Sequence, residues 1–338
     1  MRAAPQDFDY GAIASELLRA LRGGRSQEAF ARRMGCRANA IYTWESGRNF
    51  PTAARSLLAA RRAGIDVAAA LERFYRRAPA WLAEADPCEP ETVARLLDDL
   101  RGSRSIVSLT ESTGRSRFAV ARWLKGQSEP RLPDFLRLVE ASSLRLLDFI
   151  ECFVDPQRMP SIARHHADLS AARRAAYELP WSHAFLRALE LEGYRELPVH
   201  EPGWLSRQLG LPREEEARSL ELLERSGQIV LCEGRYCPTQ ITAVDTRRDA
   251  AAARRLRQFF SLAAAERVQG MTQDGTGAAA YNLFGVSHAD LARLRELQRA
   301  YFREMRAIIA DSEPVEAIVL ANMQLVELTA QQGSDAEP

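Results

Sequence analysis

The stretch Ser26–Pro51, SQEAFARRMGCRANAIYTWESGRNFP, determines the fold of the N-terminal half of this chain. Ser26 belongs to the residue types that cap helix N-termini, and Gln27-Glu28 after it opens a helix. Three apolar residues fall on one face of that helix: Phe30, Ala31 and Met34. Gly35 ends it, because the turn that follows needs a residue tolerant of left-handed dihedrals.

A second helix is predicted from about Arg37 to Glu45. Helical spacing points Ile41 and Trp44 inward and leaves Asn39, Tyr42 and Thr43 outward. Gly47 stops this helix, and Pro51 precedes a further amphipathic helix over 55–63. A helix, a glycine turn and a helix at this spacing are typical of a helix-turn-helix unit.

The same pattern occurs twice. Residues 17–74 align without a gap with residues 96–153, at a constant offset of 79. The matched pairs at turn and core positions include Gly35 with Gly114, Ile41 with Val120, Trp44 with Trp123, Gly47 with Gly126 and Pro51 with Pro130. Agreement at glycines, core positions and a proline under one offset indicates an internal repeat. We call residues 17–74 the first repeat and residues 96–153 the second repeat.

Residues 13–75 resemble the Cro/C1 repressor (XRE-type) DNA-binding domain. The resemblance rests on the Gln27 opening, the Gly35 turn, the Ile41/Trp44 pair, Glu45 and the exit from Gly47 to Pro51. It implies that the helix starting near Arg37 is a recognition helix for the major groove of double-stranded DNA. The implied contacts to bases or adjacent phosphates are Gln27, Ala38, Asn39, Tyr42 and Thr43, with Arg37 and Arg48 on flanking phosphates. The alternative is that these are ordinary exposed side chains of a helical bundle.

The second repeat, SIVSLTESTGRSRFAVARWLKGQSEP over 105–130, departs from that family at contact positions. The replacements are Ile106 for Gln27, Thr110 for Ala31, Phe118 for Asn39 and Leu124 for Glu45. Its outward positions instead offer four cations for DNA: Arg115, Arg117, Arg122 and Lys125. Arginine is the residue that best reads guanine, through O6 and N7. A degenerate copy that packs or dimerises is the alternative interpretation.

Residues 81–95 are acidic, contain two prolines and are expected to link the repeats.

The rest of the chain, after the second repeat, is predicted to form two further units. Residues 182–240 show three helices and a hairpin, which is typical of a winged helix. Its third helix begins Arg213-Glu214-Glu215-Glu216, and this negative charge argues against duplex binding there. Cys232 and Cys237, on either side of the hairpin turn, are expected to be semi-buried thiols, with a redox sensor as the alternative.

The C-terminal part is predicted to be a small α/β unit. Helices are expected over 249–269 and 288–310, and strands over 281–286 and 315–328. The apolar stripe of the 288–310 helix is the best candidate for dimerisation. Residues 160–328 as a whole are similar to an uncharacterised domain attached to bacterial helix-turn-helix regulators, especially in myxobacteria and their relatives; that similarity implies no known ligand.

Composition bounds the function. The 338 residues carry a net charge of +1, but residues 1–80 hold 14 Arg and Lys against 7 Asp and Glu. Positive charge at one end suits a phosphate-facing surface. No apolar run or leader indicates a membrane span or export, and five scattered cysteines fit a reducing compartment, so we expect a cytoplasmic protein. No phosphate loop, dinucleotide fingerprint or nucleophile elbow occurs, so we expect neither an enzyme nor a bound cofactor or metal.

The predicted fold class is mainly α, with tandem five-helix domains of the Cro/C1 type followed by a winged-helix-like unit and a small α/β unit. The expected domains are a first helix-turn-helix over 1–80, a degenerate second over 81–155, a linker helix plus winged helix over 156–245, a C-terminal domain over 246–330 and a disordered tail over 331–338. The predicted function is a sequence-specific transcriptional regulator whose C-terminal half forms a homodimer or receives a protein or small-molecule signal. The alternative is an adaptor or antitoxin-like module that uses the same folds to bind protein.

Overall fold

A computed structural model describes residues 8–75, 78–102, 104–239, 249–271, 278–310 and 312–329. The structure is mainly helical, and its described residues contain a single two-stranded sheet. The chain divides into two compact units, one built mainly from residues 8–174 and the other mainly from residues 175–329. The tail over 331–338, predicted to be disordered, lies outside the described residues. None of the described helices is long and apolar enough to cross a bilayer.

Each repeat is a set of five helices. Those of the first are α1 Tyr10–Arg22, α2 Gln27–Met34, α3 Ala38–Glu45, α4 Ala53–Ala63 and α5 Val67–Tyr75. After the short α6 (Ala80–Ala83), those of the second are α7 Pro90–Arg101, α8 Ile106–Thr113, α9 Arg117–Leu124, α10 Leu132–Ser143 and α11 Leu146–Glu151. The offset of 79 carries α2 onto α8 and α3 onto α9 without a residue of difference. The helices of the two sequence repeats therefore agree in order, and the second and third helices also agree in length.

The turn between the second and third helices is built alike in both repeats. Ser26 and Ser105 cap α2 and α8, each accepting a backbone N–H from three residues ahead. Gly35 and Gly114 end these helices in the left-handed region, at φ values of 63° and 62°. A residue with a Cβ is strained there, which explains why glycine stands at both positions.

The prediction of a linker over 81–95 is wrong for its second half. Residues 90–95 belong to α7, which is the counterpart of α1 and buries Val93, Leu96 and Leu97. Pro90 occupies the first turn of α7, where its missing N–H costs no helical hydrogen bond. Pro90 therefore starts a helix and does not interrupt the chain.

The two repeats share one hydrophobic core. The cluster runs from Phe8 through both repeats to Leu169 of α12 (Pro160–Glu178), which follows a short 3₁₀ turn at Pro156–Arg158. Its centre includes Phe74 and Phe149, whose rings lie 5.3 Å apart at nearly a right angle. The two repeats are therefore packed against each other within one compact unit.

The second unit contains the predicted hairpin, but four helices precede it where the sequence predicts three. Its elements are α13 Ser182–Ala188, α14 Glu192–Arg195, α15 Trp204–Leu209, α16 Arg213–Arg225, strands β1 Ile229–Cys232 and β2 Arg235–Pro238, and helices α17 Ala250–Gln269 and α18 His288–Ala310. The first of the three predicted helices is interrupted and forms α13 and α14. Phe185, Tyr194, Leu205 and Leu223 form the centre of this unit's core.

The prediction of a C-terminal α/β unit is wrong in its β part. Residues 281–286 and 315–328 form no strand, although α17 and α18 begin where the sequence predicts. Apolar side chains in both segments stay exposed, among them Tyr281, Leu283, Val319 and Val326. An apolar run becomes a strand only when another strand pairs with its backbone, and within the described residues these segments have none.

Candidate nucleic-acid interface

The outward face of α3 presents the side chains that the sequence singled out. Ala38, Asn39 and Tyr42 are exposed and Thr43 is half-buried, while Ile41 and Trp44 are buried on the opposite face. The Thr43 hydroxyl donates to the Ala40 carbonyl at 2.8 Å, which fixes its rotamer and leaves its oxygen as an acceptor. The carboxamide of Asn39 offers both a donor and an acceptor, the pair of groups that the edge of adenine requires.

A buried polar cluster holds α3 against α1 and α2. The Glu45 carboxylate, with its side chain only 6% exposed, pairs with Arg22 at 2.6 Å and accepts from the Gln27 carboxamide nitrogen at 2.7 Å. Arg19 donates to the Glu45 backbone carbonyl. Gln27, predicted to contact DNA, therefore has one amide hydrogen committed inside the protein, and its remaining polar atoms are held in a defined orientation. The cluster fixes the angle at which α3 projects.

Two arginines flank α3, as the sequence indicates. Arg37 is the extended N-cap residue, and its side chain is exposed. Arg48 follows the helix and stacks its guanidinium over the Tyr42 ring, 5.4 Å from the centroid. This stacking orders both side chains at the C-terminal end of α3 and places a cation beside the outward face.

The matching face of α9 is made of different chemistry. Arg117, at the Ala38 position, and Arg122, at the Thr43 position, are exposed. Phe118, at the Asn39 position, is 72% exposed, and the Arg122 guanidinium lies over its ring at 5.6 Å. Phe118 was not among the predicted contacts, although the offset of 79 places it on the outward face. An aromatic ring held there can contact a thymine methyl group.

The other two predicted cations of the second repeat differ in availability. Lys125 is exposed after the last residue of α9. The Arg115 guanidinium is paired with the Asp134 carboxylate of α10 at 2.6 Å. Part of its charge is therefore already compensated within the protein, and less of it is available to an outside anion than its sequence position alone indicates.

The polar cluster of the first repeat is replaced as a set in the second. Ile106 and Leu124 stand where Gln27 and Glu45 stand, and both pack against the shared core. Asp98 replaces Arg19 and pairs with Arg101 at 2.7 Å. Arg101 still donates to the carbonyl of Arg104, as Arg22 does to that of Arg25. In both repeats, an arginine of the first helix thus donates to a carbonyl of the loop that follows that helix. The first repeat also buries the Glu45 carboxylate beneath the outward face of α3, and the second repeat has Leu124 at that position.

The acidic start of α16 is only partly a surface feature. Glu216 is 2% exposed and accepts backbone N–H groups of Gly203 and Ser206 at 2.7 and 2.6 Å. The expectation that all three glutamates lie where phosphates would approach is wrong for Glu216, because its position on α16 points inward. It satisfies the start of α15 instead, while Glu214 and Glu215 remain on the surface side.

Two further pairs of residues, Cys232 with Cys237 and His165 with His166, make local contacts within the fold. Burial raises the pKa of Cys237, and the adjacent Cys232 thiol raises it further, which disfavours the reactive thiolate. The His166 ring lies 3.2 Å from the Glu151 carboxylate, whereas His165 packs edge-on against Phe8. Among the described residues no group of three His, Cys, Asp or Glu side chains is arranged to hold a metal ion.

Comparison with known protein families gives one match. Residues 163–328 match the family model of DUF4423, a domain of unknown function. The match begins after the second repeat and covers slightly less than half of the sequence. Neither the curated proteins nor the solved structures contain a significant match.

Proposed function

We propose that this protein is a sequence-specific double-stranded DNA-binding transcriptional regulator, with α3 as the recognition helix of a Cro/C1-type helix-turn-helix domain. The observation that carries the proposal is the outward face of α3, which combines exposed Asn39 and ordered Thr43 on a helix clamped through buried Glu45. A reader of base edges needs such a rigid helix with short polar side chains at its centre.

Charge supports the same assignment. Arg37 and Arg48 lie at the two ends of the outward face, where they would meet phosphates on either side of a major groove. On α9, Arg117 and Arg122 offer guanine-reading groups and Lys125 a phosphate contact. We assign Arg115 a minor role, since Asp134 competes for its guanidinium.

The C-terminal half supplies regulation in this proposal. It forms a homodimer or receives a signal from a protein or a small molecule, and the protein acts in the cytoplasm without catalysis. The exposed apolar residues of α18, including Leu297 and Tyr301, support a role in association, because removal of apolar side chains from water by a partner stabilises a complex.

The test is a mobility shift of the full-length protein with the duplex upstream of its own gene, at increasing salt. We expect binding that weakens steeply with salt, as phosphate neutralisation requires. The double variant Asn39→Ala/Thr43→Ala should bind that duplex about a hundredfold more weakly, since each lost base contact costs roughly 1–3 kcal/mol. Glu72→Ala, an exposed change on α5, is the matched control and should bind like the wild type. Unchanged affinity of the double variant would remove α3 from the assignment.

A protein-binding adaptor is the second candidate, and one observation favours it. Val107 of α8 is 49% exposed and Phe118 of α9 is 72% exposed, so the second repeat presents apolar side chains where a DNA reader usually presents polar ones. The mobility shift separates the two functions. Absence of any shift at low salt, with the protein folded, supports the adaptor.

A further inference from the structure

The two repeats exchange hydrogen bonds through equivalent residues. The Ala53 N–H donates to the Pro130 carbonyl at 3.0 Å, and the Leu132 N–H donates to the Pro51 carbonyl at 2.9 Å. Under the offset of 79, Ala53 corresponds to Leu132 and Pro51 to Pro130. Between them Thr52 and Arg131, also equivalent positions, form an antiparallel bridge. Each repeat therefore gives the other the same contact that it receives.

The helices repeat this reciprocity. α4 packs on its own counterpart α10, and α5 packs on its own counterpart α11. α1 packs on α10 while α7, the counterpart of α1, packs on α4. Arg73 donates to the carbonyl of Cys152, which is again the equivalent position, at 2.6 Å. An interface in which the same patch is used on both sides is isologous, so the repeats are related by a two-fold axis and not by a head-to-tail translation.

The same axis relates α3 to α9. Double-stranded DNA also has two-fold axes perpendicular to its length, and helix-turn-helix dimers use this match to place two recognition helices on half-sites in inverted orientation. In those dimers two chains supply the two helices. Here a single chain holds both, already fixed to each other through a shared hydrophobic core.

The two outward faces are unequal although their frame is symmetric. α3 offers Asn39 and Thr43, which suit an adenine edge and a thymine methyl or base edge. α9 offers Arg117, Phe118 and Arg122, which suit guanine and a thymine methyl. A symmetric frame with unequal faces is expected to select a site that is inverted in geometry and different in sequence on its two sides.

We infer, on the basis of the proposed DNA-binding function, that one chain binds one operator composed of two unequal half-sites in inverted orientation, with α3 on one and α9 on the other. No second copy is required to fill the two half-sites. A homodimer formed through the C-terminal half would then join two such operators.

The experiment is selection of duplexes from a random library by the full-length protein, followed by the mass of the protein–duplex complex in solution. We expect two different motifs with centres about 10 base pairs apart, bound by one chain. Asn39→Ala/Thr43→Ala should abolish preference in one motif only. Arg117→Ala/Arg122→Ala should abolish it in the other motif only, and each pair should weaken binding of the selected duplex at least about tenfold.

Orientation is tested with a symmetrised variant, in which four outward positions of α9 receive the side chains of α3. The changes are Arg117→Ala, Phe118→Asn, Ala121→Tyr and Arg122→Thr. All four positions are exposed or half-buried, so the helical content should remain that of the wild type. This variant should select a palindrome whose two halves both equal the α3 motif. A direct repeat of that motif would overturn the inferred orientation.

The outcomes separate this inference from the proposed function. Enrichment of a single motif that is insensitive to Arg117→Ala/Arg122→Ala, or of a wild-type palindrome carrying two chains, overturns the inference and leaves α3 as a DNA reader. A folded wild-type protein that enriches no sequence overturns the proposed function, and the inference with it.

Discussion

The position of Glu45 is occupied by a buried carboxylate in the first repeat and by an apolar side chain in the second. In the first repeat a carboxylate is buried and its charge is met by Arg22 and by the Gln27 amide. In the second repeat Leu124 and Ile106 fill the same place with apolar surface. Apolar replacement of a buried ion pair is often neutral or stabilising, so the polar version in the first repeat is better explained by orientation of Gln27 and α3 than by stability.

Removal of the carboxylate alone should therefore be costly. Glu45→Ala leaves Arg22 and Gln27 without their partner in a nearly closed site, and we expect a loss of about 3 kcal/mol in the free energy of unfolding. Urea unfolding of the full chain, followed by the circular dichroism of its helices, measures it. The control imports the other solution: Arg19→Asp/Gln27→Ile/Glu45→Leu should regain most of the lost stability. A triple variant as unstable as Glu45→Ala would contradict this account.

For single residues, the sequence predicts whether a side chain points inward or outward better than it predicts which residue that side chain contacts. The period of α3 correctly separates buried Ile41 and Trp44 from exposed Asn39 and Tyr42. The bond between Gln27 and Glu45 joins positions 18 residues apart, and it depends on how α2 and α3 cross. Periodicity along one helix carries no information about such a crossing. The inward orientation of Glu216 is unpredictable for the same reason, because the N–H groups that donate to its carboxylate lie at the start of α15.

Among the elements, the turn between α2 and α3 depends on a glycine for its backbone alone. Gly35 has a φ of +63°, and a Cβ built there meets no atom within 4 Å. Gly35→Ala should thus cost about 1–2 kcal/mol through left-handed strain and nothing through collision. Gly24→Ala is the matched control, because its Cβ also meets nothing and its φ is not in the left-handed region. Urea midpoints of the two variants test this, and equal midpoints would refute it.

Helix α13 should open as the solution becomes acidic. Burial, with a smaller effect from Arg187, lowers the pKa of His183 to about 4 from an ordinary value of 6.5. The unfolded state then binds more protons below pH 6.5, so stability present above that pH is lost as the pH falls toward 4. The loss approaches about 3 kcal/mol.

Hydrogen exchange of the α13 amides, measured by mass spectrometry between pH 7 and pH 4, isolates this effect from the rest of the chain. After correction for the intrinsic pH dependence of exchange, the opening free energy of α13 should fall with pH in the wild type. In His183→Gln it should stay nearly constant over the same range. The same slope in both proteins would assign the pH dependence to another group.

Elements were predictable where their own residues suffice to define them. Serine caps, terminal glycines and apolar periods place α2, α3, α8, α17 and α18 closely. The predicted strands over 281–286 and 315–328 failed because apolar composition does not create a pairing partner. The 81–95 segment failed because Pro90 can either interrupt a chain or start a helix, and only the packing of α7 into the core decides between them.

The whole first unit is organised by the two-fold relation between its repeats. The offset of 79 was legible in the sequence, but a repeat alone fits a string of separate domains as well as a pseudo-symmetric pair. The distinction lies in contacts such as the bridge from Thr52 to Arg131 and the packing of Phe74 on Phe149. These join segments 75 or more residues apart, and no local pattern specifies them. The sequence therefore predicts the two helix-turn-helix modules but not how they pack against each other.

Shared packing makes one further expectation specific to the molecule as a whole. Phe149 of α11 is 2% exposed and contacts Phe74 of the first repeat and Phe135 of the second, at centroid distances of 5.3 and 5.6 Å. Phe149→Ala should cost about 3–5 kcal/mol. Because the core is common, amide protection should fall in α1–α5 as well as in α7–α11. Phe185→Ala, an equally buried change in the core of the other unit, should leave protection in both repeats unchanged. Protection lost only in the second repeat would mean that the repeats fold independently, and a rigid two-fold frame for DNA would lose its physical basis.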